Sequence, residues 1–493
     1  MLRPMSRLRD HALLAALLLG LLADLLLRAE GRPGLNAFLM AIAGATTLWL
    51  LGRIRAQPVS AESRWLVLGA VGFAALLMLR DAEALAVFDL LAIIVLLGLA
   101  AGRGALQWAR QAEVQPLFAA AARVAALIAL GPLGWSFGSA KSVPGGTPGA
   151  RGTWRSRSGT LVRGVAMALP ALLVLVALLS AADPVFAGLL QRLVSFGLEP
   201  LLEHLGFAAL MAWFASGYLR AALVPDPAID SLRLPRPALS PAEPAIALSL
   251  LALLFLAFLA VQARYLFGGA DVVALTDGLG YAEYARRGFF ELVAAIAFVV
   301  PLLLLADWAA ADGDSRARRM LRAVSLLLVA LLAGVMVSAV FRMHLYQQAY
   351  GLTEARVYVC TILLWLAGVL AWLAATVLRG RRREFAFGAI VGGLACLAGL
   401  HVLNPEALVA RVNLSRAAAG LEYDGAYLRT LGADAVPALL AARANLPPGE
   451  RSRIEAALRA RWSGERPGGW RTWNLADARA RALVARSLEG DGR

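Results

Sequence analysis

The sequence predicts an all-α, polytopic transmembrane helix bundle with a small helical domain at its C-terminal end, and three observations carry that reading. Hydrophobic residues make up 60% of the 493 and charged residues only 16%, which is too apolar for a soluble chain of this length. Runs near the ~20 apolar residues that cross a hydrocarbon core recur along the chain as far as Leu403. Strand-like alternation is nowhere sustained, which argues against a β-barrel.

The formal net charge of +15 does not read as a nucleic-acid signal. Much of the excess is arginine in short loops between apolar runs, where it sets orientation and meets anionic headgroups. The expected partners are therefore membrane lipids, including anionic headgroups, with an envelope protein as a further candidate and no nucleic acid. Cys360 and Cys396 both fall inside apolar runs, so no disulfide framework or thiolate metal site is indicated. The four histidines, His11, His204, His344 and His401, are scattered without ligand spacing. No metal and no cofactor is expected.

Arg3, Arg7 and Arg9 precede the apolar run at 12–27. That pattern, without a small-residue cleavage site, predicts an uncleaved first helix with its N-terminus in the cytoplasm. Spans follow at 35–51, 65–79 and 84–101. Asp24 and Asp89 sit within or at the edge of two of these spans; a carboxylate there is either interfacial or paired with a neighbouring helix. The segment 107–135 is apolar after Pro116 but carries Arg123 and Pro132, and it reads either as a span or as an interfacial helix.

Residues 1–137 thus form an N-terminal set of transmembrane helices. Residues 138–163, rich in Gly, Pro and Ser, carry Lys141, Arg151, Arg155, Arg157 and Arg163 as their only charges and read as a cytoplasmic loop. A second bundle occupies 164–403, with spans at 164–182, 201–224, 245–263 and 289–307 and three more ending at 403. Arg316, Arg318, Arg319 and Arg322, and then Arg379, Arg381, Arg382 and Arg383, mark cytoplasmic returns. The ends near Tyr281, Gly351 and Leu403 then face outward. A cytoplasmic N-terminus requires an odd number of crossings, about eleven, and a crossing at 116–135 would make about twelve and break the scheme.

Polar residues concentrate at Gln262 to Leu292. Glu283, Arg287 and Glu291 are spaced by four and share one helix face. Gly351 is placed to end one helix and Thr353 to cap the next, with Glu354 in its first turn. Arg342 lies ~12 Å from Tyr350 along its helix and Glu291 ~10 Å from Tyr284 at 1.5 Å per residue, so their depths match. The expectation is an Arg342–Glu291 ion pair, because an unpaired charge at that depth costs about 2.5–3.5 kcal/mol. Arg264, Glu283, Arg287, His344, Glu354 and Arg356 gather around it with Tyr265, Tyr281, Tyr284, Tyr346, Tyr350 and Tyr358. One account is an aromatic belt with structural ion pairs. The other is an outward-facing ligand or partner site, since arginine offers bidentate recognition of phosphate and carboxylate.

RYLFGG at 264–269, YAEYARRGFFEL at 281–292 and AYGLTEARVY at 349–358 resemble the signature blocks of a bacterial membrane-protein family known as domain of unknown function 4173. NPEALVARVNLSRA at 404–417 and ADAVPALL at 433–440 resemble its C-terminal pattern. The likeness covers roughly the second half of the chain and implies fold and location, with no activity to transfer.

After Leu403 the composition changes. Asn404 and Pro405 form a good helix start, Ile454, Leu458 and Trp462 give a second helix an apolar stripe, and 475–488 suggests another. Residues 404–493 are expected to fold as a small helical domain with a thin core, resting on the membrane on the extracytoplasmic side. No phosphate loop, HExxH, CxxC or GxSxG occurs, and no catalytic residue is assigned. The leading function class is a non-catalytic binding, assembly or signalling component. A secondary transporter, or a membrane enzyme acting on a lipid-linked substrate, remains as an alternative.

Overall fold

A computed structural model describes residues 2–28, 31–54, 60–101, 114–133, 135, 175–176, 178–185, 188, 199–224, 239–267, 289–310, 315–421, 423–464 and 469–489. The loop expected at 138–163 and most of the span expected at 164–182 lie outside them. Among the described residues the chain is helical throughout, with one isolated bridge between Leu239 and Ala310.

Among the described residues, eleven long helices form the bundle: α1 (Leu2–Leu27), α2 (Leu35–Ile54), α3 (Ala61–Leu76), α4 (Glu83–Ala101), α5 (Val114–Leu130), α6 (Glu199–Leu223), α7 (Ala242–Phe267), α8 (Phe289–Ala309), α9 (Ser315–Tyr350), α10 (Glu354–Ala375) and α11 (Arg382–Leu403). Eight of them are long and apolar enough to cross a membrane, namely all but α3, α5 and α6. That supports a multi-pass bundle, and α3 stands apart at 16 residues. The lipid-compatible faces follow from composition: Leu250, Leu253 and Leu254 of α7 are more than half exposed, which only an apolar surrounding tolerates in such numbers.

Two larger apolar cores organise the long helices among the described residues. One joins α7 to α11 through residues such as Ile296, Leu328, Leu332, Leu363 and Leu373. The other joins α1, α2, α3 and α6 through Leu8, Leu48, Leu51, Val67 and Leu219. Glycine allows the closest approach in this half, since a Cβ on Gly20 would stand 2.3 Å from the Ala208 carbonyl oxygen.

The described part of the ambiguous 107–135 segment forms α5, after which the chain turns back. Trp213 Nε1 donates to the Ala129 carbonyl at 2.9 Å, and Gly131, at φ +50°, packs on the same indole. Trp135 Nε1 then donates to the Ser216 carbonyl at 3.1 Å. Three residues along α6 separate those two contacts, so after Gly131 the chain has reversed along α6.

Beyond α11 come α12 (Pro405–Ala418), α13 (Gly425–Thr430), α14 (Val436–Ala442), α15 (Pro448–Trp462) and α16 (Leu475–Val484). Asn404 caps α12, accepting from the Ala407 N–H at 3.2 Å with Pro405 in the first turn, as its sequence signal predicts. Asp424 and Asn474 cap α13 and α16 in the same way. The expected stripe of Ile454, Leu458 and Trp462 is buried. This core does not stand alone: it runs through Leu428, Leu431, Val436 and Leu439 into Leu85 of α4, Val357 and Tyr358 of α10 and Leu397 and Leu400 of α11. A tail too small to bury much surface by itself borrows the end of the bundle.

Candidate functional site

The tail meets the bundle through a polar junction of segments distant in sequence. Leu79 to Ala82 link α3 to α4, and Arg80 in that link reaches two of the other segments. Its Nη1 donates to Asp434 Oδ1 at 2.8 Å and its Nε to the His401 carbonyl at 3.1 Å, near the end of α11. Asp434 accepts from the Asp81 N–H at 2.9 Å and from Asn404 Nδ2 at 3.1 Å. In return, Asp81 Oδ2 accepts from the Ala433 N–H at 3.2 Å. Asp434 therefore binds the backbone of Asp81, and Asp81 binds that of Ala433 beside Asp434, which sets the register of the link against the tail.

Asn474 completes the clasp. Its Nδ2 donates to the Arg80 carbonyl at 3.3 Å, while the Leu475 N–H donates to the Met78 carbonyl at 2.6 Å. Nearby, the α1–α2 turn receives the tail: the Leu35 N–H donates to the Trp473 carbonyl at 3.0 Å and the Asn36 N–H to the Arg471 carbonyl at 2.8 Å. Arg32 pairs with Asp81 at 3.4 Å. Even so, burial is the largest influence on Asp81 and raises its carboxyl above the ordinary range; Arg32 and the Ala433 N–H oppose the shift.

Glu406, in the first turn of α12, is 3% exposed. Its carboxylate is pressed on Gly432, where a Cβ would stand 2.5 Å from Oε1. Oε2 has no hydrogen-bond partner among the described residues. Burial, and then the charges of Glu354, Asp434 and Asp81, push this carboxyl up to about 8, against a lowering hydrogen bond from the Gly432 backbone. Glu406 is thus built to carry a proton at neutral pH. Inside the bundle, His401 Nε2 and Asp89 Oδ1 lie 2.9 Å apart, both buried. Asp89 is therefore paired with a neighbouring helix, one of the two expectations for it. Asp24 is likewise engaged, with His204 at 2.7 Å.

Above the clasp opens a cleft of about 660 Å³. Arg80 and Asn404 form its floor, α12 contributes Arg411 and Ser415, and α16 contributes Arg479, with alanine and leucine between. No carboxylate is paired with Arg411 or Arg479 among the described residues, and both are exposed. The arrangement offers cations beside apolar wall.

The residues singled out in the sequence are dispersed by comparison. Glu283 and Arg287 lie outside the described residues, and Arg264 stands on α7 without a described side chain. The expected Arg342–Glu291 ion pair is replaced. Arg342 Nη2 donates to Gln262 Oε1 at 2.6 Å, shared with the Ser338 hydroxyl at 3.1 Å, while Glu291 is exposed at the start of α8 and no ion pair joins it to Arg342. A neutral amide oxygen on α7 thus takes one of the guanidinium's donors. His344 is exposed and pairs with Gln348 at 2.9 Å.

Glu354 and Arg356 do reach the junction. The Glu354 N–H donates to the Tyr427 hydroxyl at 2.9 Å, and Arg356 covers the Tyr346 ring at 4.1 Å and donates to the Gly351 carbonyl. The Thr353 side chain makes no cap bond. Instead, Asn413 of α12 closes that turn, with Oδ1 accepting from the Leu352 N–H at 2.9 Å and Nδ2 donating to its carbonyl at 2.7 Å. Gly351, at φ +73°, passes so close to Asn413 that a Cβ would stand 2.4 Å from Oδ1.

A family model described as a domain of unknown function, DUF4153, matches residues 67–442. It covers every motif block quoted above, but it is not the family numbered 4173. It also reaches well into the first half of the chain, taking in Arg80, Asp81 and Asp89 with Glu354, His401, Glu406 and Asp434. No curated protein and no solved structure matches the chain.

Proposed function

We propose, for a chain that belongs to the DUF4153 family, a non-catalytic multi-pass protein of the bacterial inner membrane that binds or helps assemble an envelope component at its junction cleft. The observation that carries this reading is the clasp itself. Arg80, Asp81, Asn404 and Asp434 lock the tail on the bundle so that a cleft lined by two unpaired arginines stays open above it. Such preorganisation favours ligand capture. The carboxylates of Asp81 and Asp434 are engaged by guanidinium and backbone donors, which gives them a structural part in holding the tail.

Orientation follows from charge. Arg316, Arg318, Arg319, Arg322 and Arg379 to Arg383 gather at the end of the bundle opposite the junction. Arginine-rich short loops favour the cytoplasm, so the N-terminus is read as cytoplasmic and the tail as extracytoplasmic. The reversal of α5 at Gly131 agrees with this parity, since a segment that turns back adds no crossing. A secondary transporter is the second reading, favoured by the buried Asp89–His401 pair between α4 and α11, because ionisable pairs inside spans mark ion pathways.

The test is native mass spectrometry of the protein extracted in its own lipids, comparing wild type with Ala438→Trp, which fills the cleft. A lipid, solute or protein present only on the wild type supports the binding reading. Identical spectra would count against it, and solute flux into vesicles that stops in Asp89→Asn would favour transport.

A further inference from the structure

We infer that the junction cleft holds the anionic headgroup of a membrane phospholipid, which rests on the cleft being a binding site and names its ligand class. Three features converge. First, the cleft opens at the end of the bundle, where a headgroup region would lie, since its lining residues Leu79, Arg80 and Asn404 lie next to the ends of α3 and α11, and α11 is one of the membrane-long helices. Second, its lining is apolar where water would otherwise stand: Leu79 is 43% exposed and Leu475 48%. Such a lining suits acyl chain and glycerol backbone better than a soluble anion.

Third, the lining charge is positive. Arg80 is neutralised by Asp434 at 2.8 Å, which leaves Arg411 and Arg479 as the net cations. Arg411 spends only its Nε, on the Ala407 carbonyl at 3.2 Å, so its terminal nitrogens are free for a bidentate contact with phosphate. An apolar lip opening to two guanidiniums at the height of the headgroups fits a phosphodiester lipid entering sideways from the bilayer.

The experiment reconstitutes the full chain in nanodiscs of equal phosphatidylglycerol and phosphatidylcholine and counts retained lipids by native mass spectrometry. The wild type is expected to retain phosphatidylglycerol in preference. Each arginine near the surface is worth about fivefold, so Arg411→Gln with Arg479→Gln should reduce that preference by roughly 30-fold. A matched control, Arg451→Gln with Arg453→Gln, removes the same charge from exposed α15 and should change little.

Equal loss in both variants, or no preference in the wild type, overturns the lipid site. Displacement of the retained lipid by free glycerol 3-phosphate also overturns it, in favour of a soluble anion. If Ala438→Trp sheds a non-lipid species from native extracts while the nanodisc preference is absent, the cleft remains a binding site and only the lipid assignment fails.

Discussion

Toward the same end of the bundle, two arginines are engaged by different chemistry. Arg342 reaches Gln262 on α7, a neutral amide that Ser338 also shares. Arg80 reaches a carboxylate, Asp434, which itself accepts from Asp81 and Asn404. The amide contact joins two adjacent helices. The carboxylate contact pairs two charges, at a desolvation cost, and in return ties the α3–α4 link, the end of α11 and the tail into one register. The first is a packing device inside the bundle. The second makes the tail part of the fold.

That contrast is broken most directly at Asp434. Asp434→Ala removes the acceptor of three donors at once and leaves the Arg80 guanidinium without its counter-charge, so docking of the tail should weaken by about 3–5 kcal/mol. Hydrogen exchange of α14 and α16 reports it: fast exchange in the variant with α7–α9 still protected is expected. Unchanged protection of the tail would mean that the apolar core shared with α4, α10 and α11 suffices.

Glu406 separates the two regions by pH. Its carboxyl in the docked tail is pushed up to about 8, from an ordinary 4.5. Between those values the docked state binds more protons than the undocked state, so docking weakens as pH rises through that window, by up to about 1.4 kcal/mol per pH unit. Above about 8 the slope vanishes. Glu406→Gln should remove the slope and leave a tail that is more protected than wild type at high pH. The same titration read at α7–α9 should be flat.

The bundle was legible in the sequence because apolar runs report membrane helices one at a time. Helix starts at Asn404 and the stripe through Trp462 were legible for the same local reason. The junction was less so. Arg80 and Asp434 are separated by most of the chain, and nothing in ARG–ASP or ALA–ASP pairs announces a partner at that distance. A signal did exist: Asp89 and His401 stand in or beside apolar runs, and Glu406 and Asp434 fall inside the motif blocks at 404–417 and 433–440. The stretch around Gln262 drew notice through density alone, and density in sequence is not proximity in space. Arg342 chose an amide at Gln262 over the carboxylate seven residues past Tyr284, since helix α8 leaves Glu291 facing outward.

A smaller effect tests the amide side. Gln262→Leu withdraws the acceptor from Arg342 and Ser338, and a hydrogen bond to a charged group is worth about 1.5–3 kcal/mol. The unfolding midpoint of the purified protein in dodecyl sulfate titration should fall accordingly, with the tail's exchange unaltered because α9 meets the tail through Arg416 and Asn413 further along. A loss as large as that of Asp434→Ala would erase the distinction between a packing device and a clasp.

The smallest expected effect is at Glu291. Were it the partner of Arg342, Glu291→Ala would strand a buried guanidinium and cost several kcal/mol. The carboxylate is instead exposed in the first turn of α8, where a negative charge gains only a little from the helix dipole, about 0.3–1 kcal/mol. The same titration on Glu291→Ala should therefore shift by no more than that, and combining it with Gln262→Leu should give the sum of the two single effects. Additivity places Glu291 outside the Arg342 site. A coupling above about 0.5 kcal/mol would bring it back in and make the two ends of this comparison chemically alike.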